Sequence, residues 1–408
     1  MAVASLKSVT NRSWADDLPG VVLVCVVLLL SACATQSYRY DDTLAATVRE
    51  RASTQTSGDL SVSAAVVGRN EAKAIFGVPV YDRGIQPVWL KIVNNSSDTI
   101  RFAPTAIDPD YFAPLEVAYM HRKGLSKKAL NQMNRRFYDS ALPRQVPAGE
   151  VRSGYVFTHV SPGTKSFNID LFGRESDYSF AFFVAAPGFV PDHASIDFAG
   201  LYDPSEIVDH GLQDMRGALL EEPLSSTDRS GQQAGLPVSL ALVGEGLDIR
   251  KALLRADWDE SPAVTDEEQI DKAQYLYGRM PDAVFRKKRS SNDDRNKLFL
   301  WLAPLRIDGK PVWMAQVSHS IGRKTRFEQV IFGSRIDPDI DDGRDYFIQN
   351  MWYSQSLLQI AWLQAREPIP FENSQSDFNA STYFTNGNLA IAWLSGVPVS
   401  LTETRFLD

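Results

Sequence analysis

Between residues 58 and 200 the apolar positions fall in short β-branched or aromatic runs divided by polar turns. The runs are Leu60-Ser-Val-Ser-Ala-Ala-Val-Val, Gln86-Pro-Val-Trp-Leu-Lys-Ile-Val, Thr99-Ile-Arg-Phe, Ser153-Gly-Tyr-Val-Phe-Thr, Ser166-Phe-Asn-Ile-Asp-Leu and Tyr178-Ser-Phe-Ala-Phe-Phe-Val. Asn94-Asn95-Ser96-Ser97 and Pro162-Gly163-Thr164 are turn-forming separators. Short strands with regular turns predict an all-β sandwich, immunoglobulin-like by pattern. One stretch departs from this. Ser126 is placed to cap a helix with Leu130, Met133 and Phe137 on one face and Lys127, Lys128, Arg135 and Arg136 around it. It reads as a helical insertion packed on the sandwich, with a membrane-surface helix as the alternative.

The pattern changes after residue 200. Residues 201–234 hold few strand signals, and their small, polar end, Ser225 to Gly235, reads as a linker. From 235 to 408 helical and strand periods mix, which predicts an α+β domain. Val238-Ser-Leu-Ala-Leu-Val is a buried strand, and helices are expected over Asp248–Ala256, Asp266–Tyr277 and Asp342 to about Leu358. The runs Lys297–Ile307 and Pro311–Val317 flank Asp308-Gly309, a hairpin turn in which both residues need positive φ. Ile360-Ala-Trp-Leu and Ile391-Ala-Trp-Leu read as two strands of one sheet.

The first residues have a different character. Lys7 and Arg12 precede the purely apolar run Val21–Leu30, which ends at Ser31-Ala32-Cys33. This order is that of a secretory signal, and the run is too short to cross a bilayer as a stable helix. Leu30-Ser31-Ala32-Cys33 resembles the lipobox of bacterial lipoproteins, which implies residues 1–32 as a signal peptide and a lipid on Cys33. Ala34 at the next position implies forwarding to the outer membrane. An ordinary signal or a single anchor helix is the alternative. Residues 33–57, polar and without a sustained apolar period, read as a tether.

Charge and cysteine content narrow the picture. Cys25 and Cys33 are the two cysteines of the chain. Cleavage before Cys33 leaves no partner for a disulfide, so stability must come from ordinary cores. The net charge of −8 argues against a nucleic-acid partner.

Several stretches of the C-terminal domain together resemble the LssY C-terminal domain family over about residues 235–396. They are Leu236-Pro-Val-Ser-Leu with Val243-Gly, Ala256-Asp-Trp258, Tyr277-Gly-Arg279 with Asp282 and Phe285, and Leu300-Trp301 before Pro311-Val-Trp. Ile336-Asp-Pro-Asp-Ile-Asp with Arg344-Asp345 and Tyr383-Phe-Thr-Asn-Gly387 complete the set. The resemblance implies an envelope setting and no particular reaction.

Candidate chemistry is sparse. Gly244-Glu-Gly246 lacks the rest of a dinucleotide or P-loop fingerprint and reads as a tight strand-to-helix turn. No nucleophile elbow or His-Glu-x-x-His is present. His319, alternating with Trp313 and Val317, reads as a structural histidine. Arg286-Lys-Lys-Arg289, Arg295 and Lys297 form a basic patch, read as a solvated loop or as a site for phosphate-bearing lipid heads or acidic glycans.

The densest polar segment runs from Asp337 to Asp345. Its alternate aspartates resemble a calcium loop, but Gly343 is one place late and Ile348 stands where the closing glutamate belongs. It reads as a helix start, with acidic caps and Arg344 tying segments together. Arg279, Arg295, Asp337, Asp339, Asp341, Arg344 and Asp345 are the ligand-binding candidates; no cofactor, metal or catalytic residue is assigned. The expected function is a non-enzymatic envelope module, facing the periplasm, that binds a protein, lipid or glycan partner. The competing reading is a periplasmic hydrolase or transferase acting on envelope lipid or glycan.

Overall fold

The computed structural model describes residues 37–407 apart from 175–176, 263, 265, 292–293 and 324–333. The apolar run Val21–Leu30 and Cys33 lie outside the described residues. In the N-terminal half, one four-stranded sheet orders β1 (Ser53–Ser57), β2 (Leu60–Val66), β3 (Ile85–Asn94) and β6 (Val151–His159). A second orders β5 (Gln145–Val146), β4 (Ile100–Ala103), β7 (Thr164–Phe172) and β8 (Asp177–Ala185). Leu60, Val62, Ala64 and Val66 of β2, with Val88, Leu90 and Ile92 of β3, enter one core with Phe167, Ile169, Leu171, Phe180 and Phe182 of the second sheet. The two sheets therefore stack face to face.

The first sheet is buried on its other face too. Ala65, Trp89, Tyr155 and Phe157 point away from the second sheet and pack under helices. These are α1 (Thr43–Glu50), α2 (Arg69–Phe76), α3 (Pro114–Met120) and α4 (Lys127–Ser140). Ser126 caps α4, its Oγ accepting from the Ala129 N–H at 3.1 Å, and Met133 and Phe137 are fully buried. The expected insertion is thus present and packed on the sheet, but as one of four helices. The all-β expectation for this half is corrected to a helical layer on stacked sheets. Three of the four helices have only seven or eight residues, too short to display a helical period. The stretch expected as a tether also folds. Ala45 and Val48 of α1 are buried, β1 pairs with β2, and the Tyr38 hydroxyl donates to the Phe76 carbonyl at 2.7 Å.

The C-terminal half is built on a ten-stranded mixed sheet. Its strands are β9 (Val208–His210), β12 (Leu240–Val243), β13 (Asp259–Glu260), β14 (Ala283–Ser291), β15 (Asp294–Ile307), β16 (Lys310–Arg323), β17 (Ser334–Ile336), β18 (Leu357–Gln364), β21 (Asn388–Leu394) and β22 (Arg405–Phe406). The order is β13-β14-β15-β16-β12-β21-β18-β22, with β17 paired to β16 and β9 to β15. Two small ribbons join β10 (Ser225–Thr227) to β11 (Ala234–Pro237) and β19 (Gln375–Ser376) to β20 (Thr382–Tyr383). Helices α6 (Gly246–Arg255) and α8 (Ile340–Tyr353) cover one face, and α5 (Met215–Glu221) the other. A sheet covered on both faces explains why its strands read as continuous apolar runs.

Several local expectations hold. Asp308 and Gly309 have φ of 48° and 75° and join β15 to β16 in a two-residue turn. Ala361 pairs with Ile391 across β18 and β21. Others change. The helix expected over Asp266–Tyr277 stops early, as α7 (Glu267–Asp271), because Tyr275 turns to exchange backbone hydrogen bonds with Thr227. Residues 201–234 carry β9, α5 and β10, with Met215, Ala218 and Leu219 buried under the sheet. The basic patch lies on paired strands, Arg286 opposite Lys297 and Lys288 opposite Arg295, and not on a loop.

The halves meet at a polar seam. The buried Glu260 carboxylate accepts from the Thr164 N–H at 3.0 Å and from Arg250 Nε at 2.7 Å, while Arg250 Nη2 donates to Thr164 Oγ1 at 2.7 Å. Burial at this seam pushes the Lys165 ammonium down to about 8 and the Asp259 carboxyl up to about 6.

Candidate functional site

The acidic segment forms the start of α8. Asp339 is its N-cap, accepting from the Asp341 N–H at 3.1 Å. Desolvation, followed by the nearby Asp341, raises the Asp339 carboxyl above the ordinary carboxylate range. Arg344 is only 1% exposed. Its guanidinium donates to Asp345 at 2.9 Å, Asp341 at 3.0 Å, the Asn388 carbonyl at 2.9 Å and Asn386 Oδ1 at 3.2 Å. It also lies 5.0 Å from the Trp362 ring centroid. Asp341 accepts in addition from Thr385 Oγ1 at 2.8 Å and the Asn386 N–H at 2.6 Å. Asp341 and Arg344 therefore clamp the helix start to the turn that leads into β21.

Arg279 forms a second, separate clamp. It donates to both oxygens of the buried Asp282, at 2.9 and 3.0 Å, and to the Leu302 carbonyl at 2.7 Å. The Tyr202 and Tyr277 rings each lie 5.1 Å from it. Tyr277 and Trp301 beside it pack in the core under α5, on the opposite sheet face from α8. The sequence candidates Arg279 and Arg344 are thus not brought together. Arg295 stands on β15 opposite Lys288, and its side chain lies outside the described residues.

A cavity of about 520 Å³ opens on the α6 face of the sheet. Ala283, Phe285, Leu300, Leu302 and Trp313 form its floor, Ile249 and Leu247 its helical side, and Phe198 and Ala199 of the connecting segment its cover. Phe198 meets Trp313 edge to face at 5.5 Å. Its polar lining is confined to His193, Glu245, Arg250 and Arg306 with the backbone of Gly246. Gly246 brings the backbone close to the Trp313 ring, from which a Cβ would stand 3.0 Å. No local pattern marks this cavity in the sequence, since its walls are spread from His193 to Trp313 and each looks like ordinary core.

One group of metal-ligand type occurs beside the acidic segment. Ligand atoms of His319, Asp337 and Asp342 lie within 4.8 Å of one another. His319 Nδ1 is 3.8 Å from Asp337 Oδ2.

The class defined by these observations is a two-part α+β protein whose larger sheet is covered on both faces and carries an apolar cavity beneath the segment that connects the two parts. Residues 220–389 match the model of the family described as the LssY C-terminus, so the resemblance drawn from the ordered motifs is borne out for that domain. No curated protein matches the chain. Among the described residues no helix is long and apolar enough to cross a membrane.

Proposed function

We propose that the protein is a non-enzymatic envelope module, held at the outer membrane by a lipid on Cys33, that binds an acyl chain or similar apolar group in the cavity over β14–β16. The observation carrying this reading is the cavity itself. Its volume of about 520 Å³ falls within the usual range for small-molecule sites, and an apolar wall with a few polar groups is what such sites present. Arg306 at its edge is exposed and suits an anionic headgroup. The competing hydrolase or transferase reading draws less support, because Arg279 and Arg344 are engaged in internal ion pairs on opposite sheet faces. The stacked four-stranded sheets of the N-terminal half support an immunoglobulin-like arrangement by pattern, on which the binding role does not depend.

Native mass spectrometry of the full chain, released from outer membranes with mild detergent, tests both parts. The expected result is a diacylglyceryl mass on Cys33 and one additional acyl-bearing adduct. Ala283→Phe, which fills the floor of the cavity, should lose the adduct and keep the anchor. An unmodified N-terminus at or beyond residue 34 refutes the anchor; an adduct retained in Ala283→Phe, or absent from the native chain, refutes the cavity as its site.

A further inference from the structure

We propose that His319, Asp337 and Asp342 bind one divalent transition-metal ion, Zn²⁺ or Mn²⁺, where β16, β17 and the first turn of α8 meet. His319 stands on β16, Asp337 follows β17 and Asp342 lies in the first turn of α8, yet their ligand atoms lie within 4.8 Å of one another. Backbone geometry produces this convergence. Ile336 pairs with Ser320, and the Asp337 N–H donates to the His319 carbonyl at 2.8 Å, which sets the two side chains side by side. Gly343 lets α8 approach closely, since a Cβ there would stand 3.3 Å from Val317 Cγ1. Asp342, the preceding residue, is thereby held near His319.

Asn296 supplies an independent observation. It is the direct cross-strand partner of His319 on β15, so the two side chains share a sheet face. Asn296 is 1% exposed, and neither its Oδ1 nor its Nδ2 has a hydrogen-bond partner. Folded proteins rarely leave a buried amide in that condition without an ion or ordered water to meet it. A metal-bound water or the ion itself would satisfy the amide.

The donor set selects the kind of ion. One imidazole nitrogen and two carboxylates suit Zn²⁺ or Mn²⁺, whereas Ca²⁺ demands six to eight oxygens. Two carboxylates also balance the charge of a divalent ion. Helix-start geometry accounts for Asp337 Oδ1, which accepts from the Asp339 N–H at 3.0 Å, but not for Asp337 Oδ2, which faces His319, nor for Asp342, since Asp339 caps α8 and Asp341 holds Arg344. This site is on a different part of the sheet from the cavity residues and stands whether or not the cavity binds lipid.

The test uses full-length protein stripped with chelator, titrated calorimetrically with ZnCl₂, MnCl₂ and CaCl₂, with a thermal melt for each. Zn²⁺ or Mn²⁺ should bind at one equivalent per chain and raise Tm by several degrees. His319→Gln and Asp342→Asn should each raise Kd by at least about tenfold, and the exposed Asp342→Asn should leave the metal-free Tm nearly unchanged. Asp342 is exposed, so that variant remains decisive even where His319→Gln fails to fold. Failure of both transition metals to bind overturns the proposal. So does binding that survives Asp342→Asn, or stabilisation by Ca²⁺ alone.

Discussion

Arg344 shows how one side chain can unite two segments. Its charge is fully enclosed, and its partners Asp341 and Asp345 lie in the same helix while Asn386 and the Asn388 carbonyl belong to the strand entry opposite. Removing one member of a buried pair leaves the other charge uncompensated, which costs more than the pair itself contributes. Arg344→Met should therefore destabilise by about 1–3 kcal/mol, less than for a fully enclosed pair because the Asp345 carboxylate left behind is half exposed, read as a lowered urea midpoint at unchanged slope. A loss below about 1 kcal/mol would mean that the clamp is solvated. Arg279 occupies an equivalent position on the other face of the sheet, so both arginines singled out from the sequence belong to the framework. Sequence showed that they need partners. It could not show that each finds them locally, leaving none for a shared ligand.

At the scale of elements, strong local chemistry made some structure legible in advance. Asp308-Gly309 is the clearest case, because a two-residue turn with positive φ at both positions closes a tight hairpin with the twist of the flanking strands, and Asp-Gly favours that turn. Gly309→Val should cost about 1–2 kcal/mol through backbone strain, since no side-chain atom crowds the position. A drop in Tm measures this; an unchanged Tm would show that the turn is not under conformational control. The capped α4 and the paired Ile-Ala-Trp-Leu runs were equally legible. Short helices were not: α1 and α2 depend on the apolar outer face of the first sheet, which only the assembled strands present. The strands β1, β5, β9 and β13 are likewise defined by the neighbour they pair with.

For the whole molecule, the seam between the halves gives a pH-dependent contribution. Burial, then the nearby Asp257, raises the Asp259 carboxyl to about 6, above its value of roughly 3.9 in an unfolded chain. Between those values the folded state holds more protons than the unfolded state. Stability contributed by protonated Asp259 is therefore full below about pH 4 and is lost as pH rises through about 6. Asp259→Asn should remove this fall and stabilise the protein at pH 7 by about 1–2 kcal/mol, a figure reduced for partial solvent screening. Calorimetric melts from pH 4 to 7.5 on both forms check it, and parallel curves would refute it. Lys165 has the opposite sign at the same seam: the burial penalty on its ammonium is full below about pH 8 and is relieved as pH rises from about 8 towards 10.5.

The sequence by itself determined where strands alternate with turns, where the hairpin closes, where α4 begins and which family the C-terminal domain resembles. Each of these depends on the conformational preference of a few adjacent residues, or on motifs in a fixed order. Only the tertiary structure decided that the smaller sheet carries a helical layer, that residues 201–234 wrap onto the larger sheet, and that Arg279 and Arg344 serve opposite faces. It alone brought Phe198 over Trp313 to close a cavity, and set Asn296, His319, Asp337 and Asp342 beside one another. Those outcomes require contacts between residues remote in the chain, whose energy comes from burying shared surface and pairing enclosed charge, and no local pattern specifies the partner.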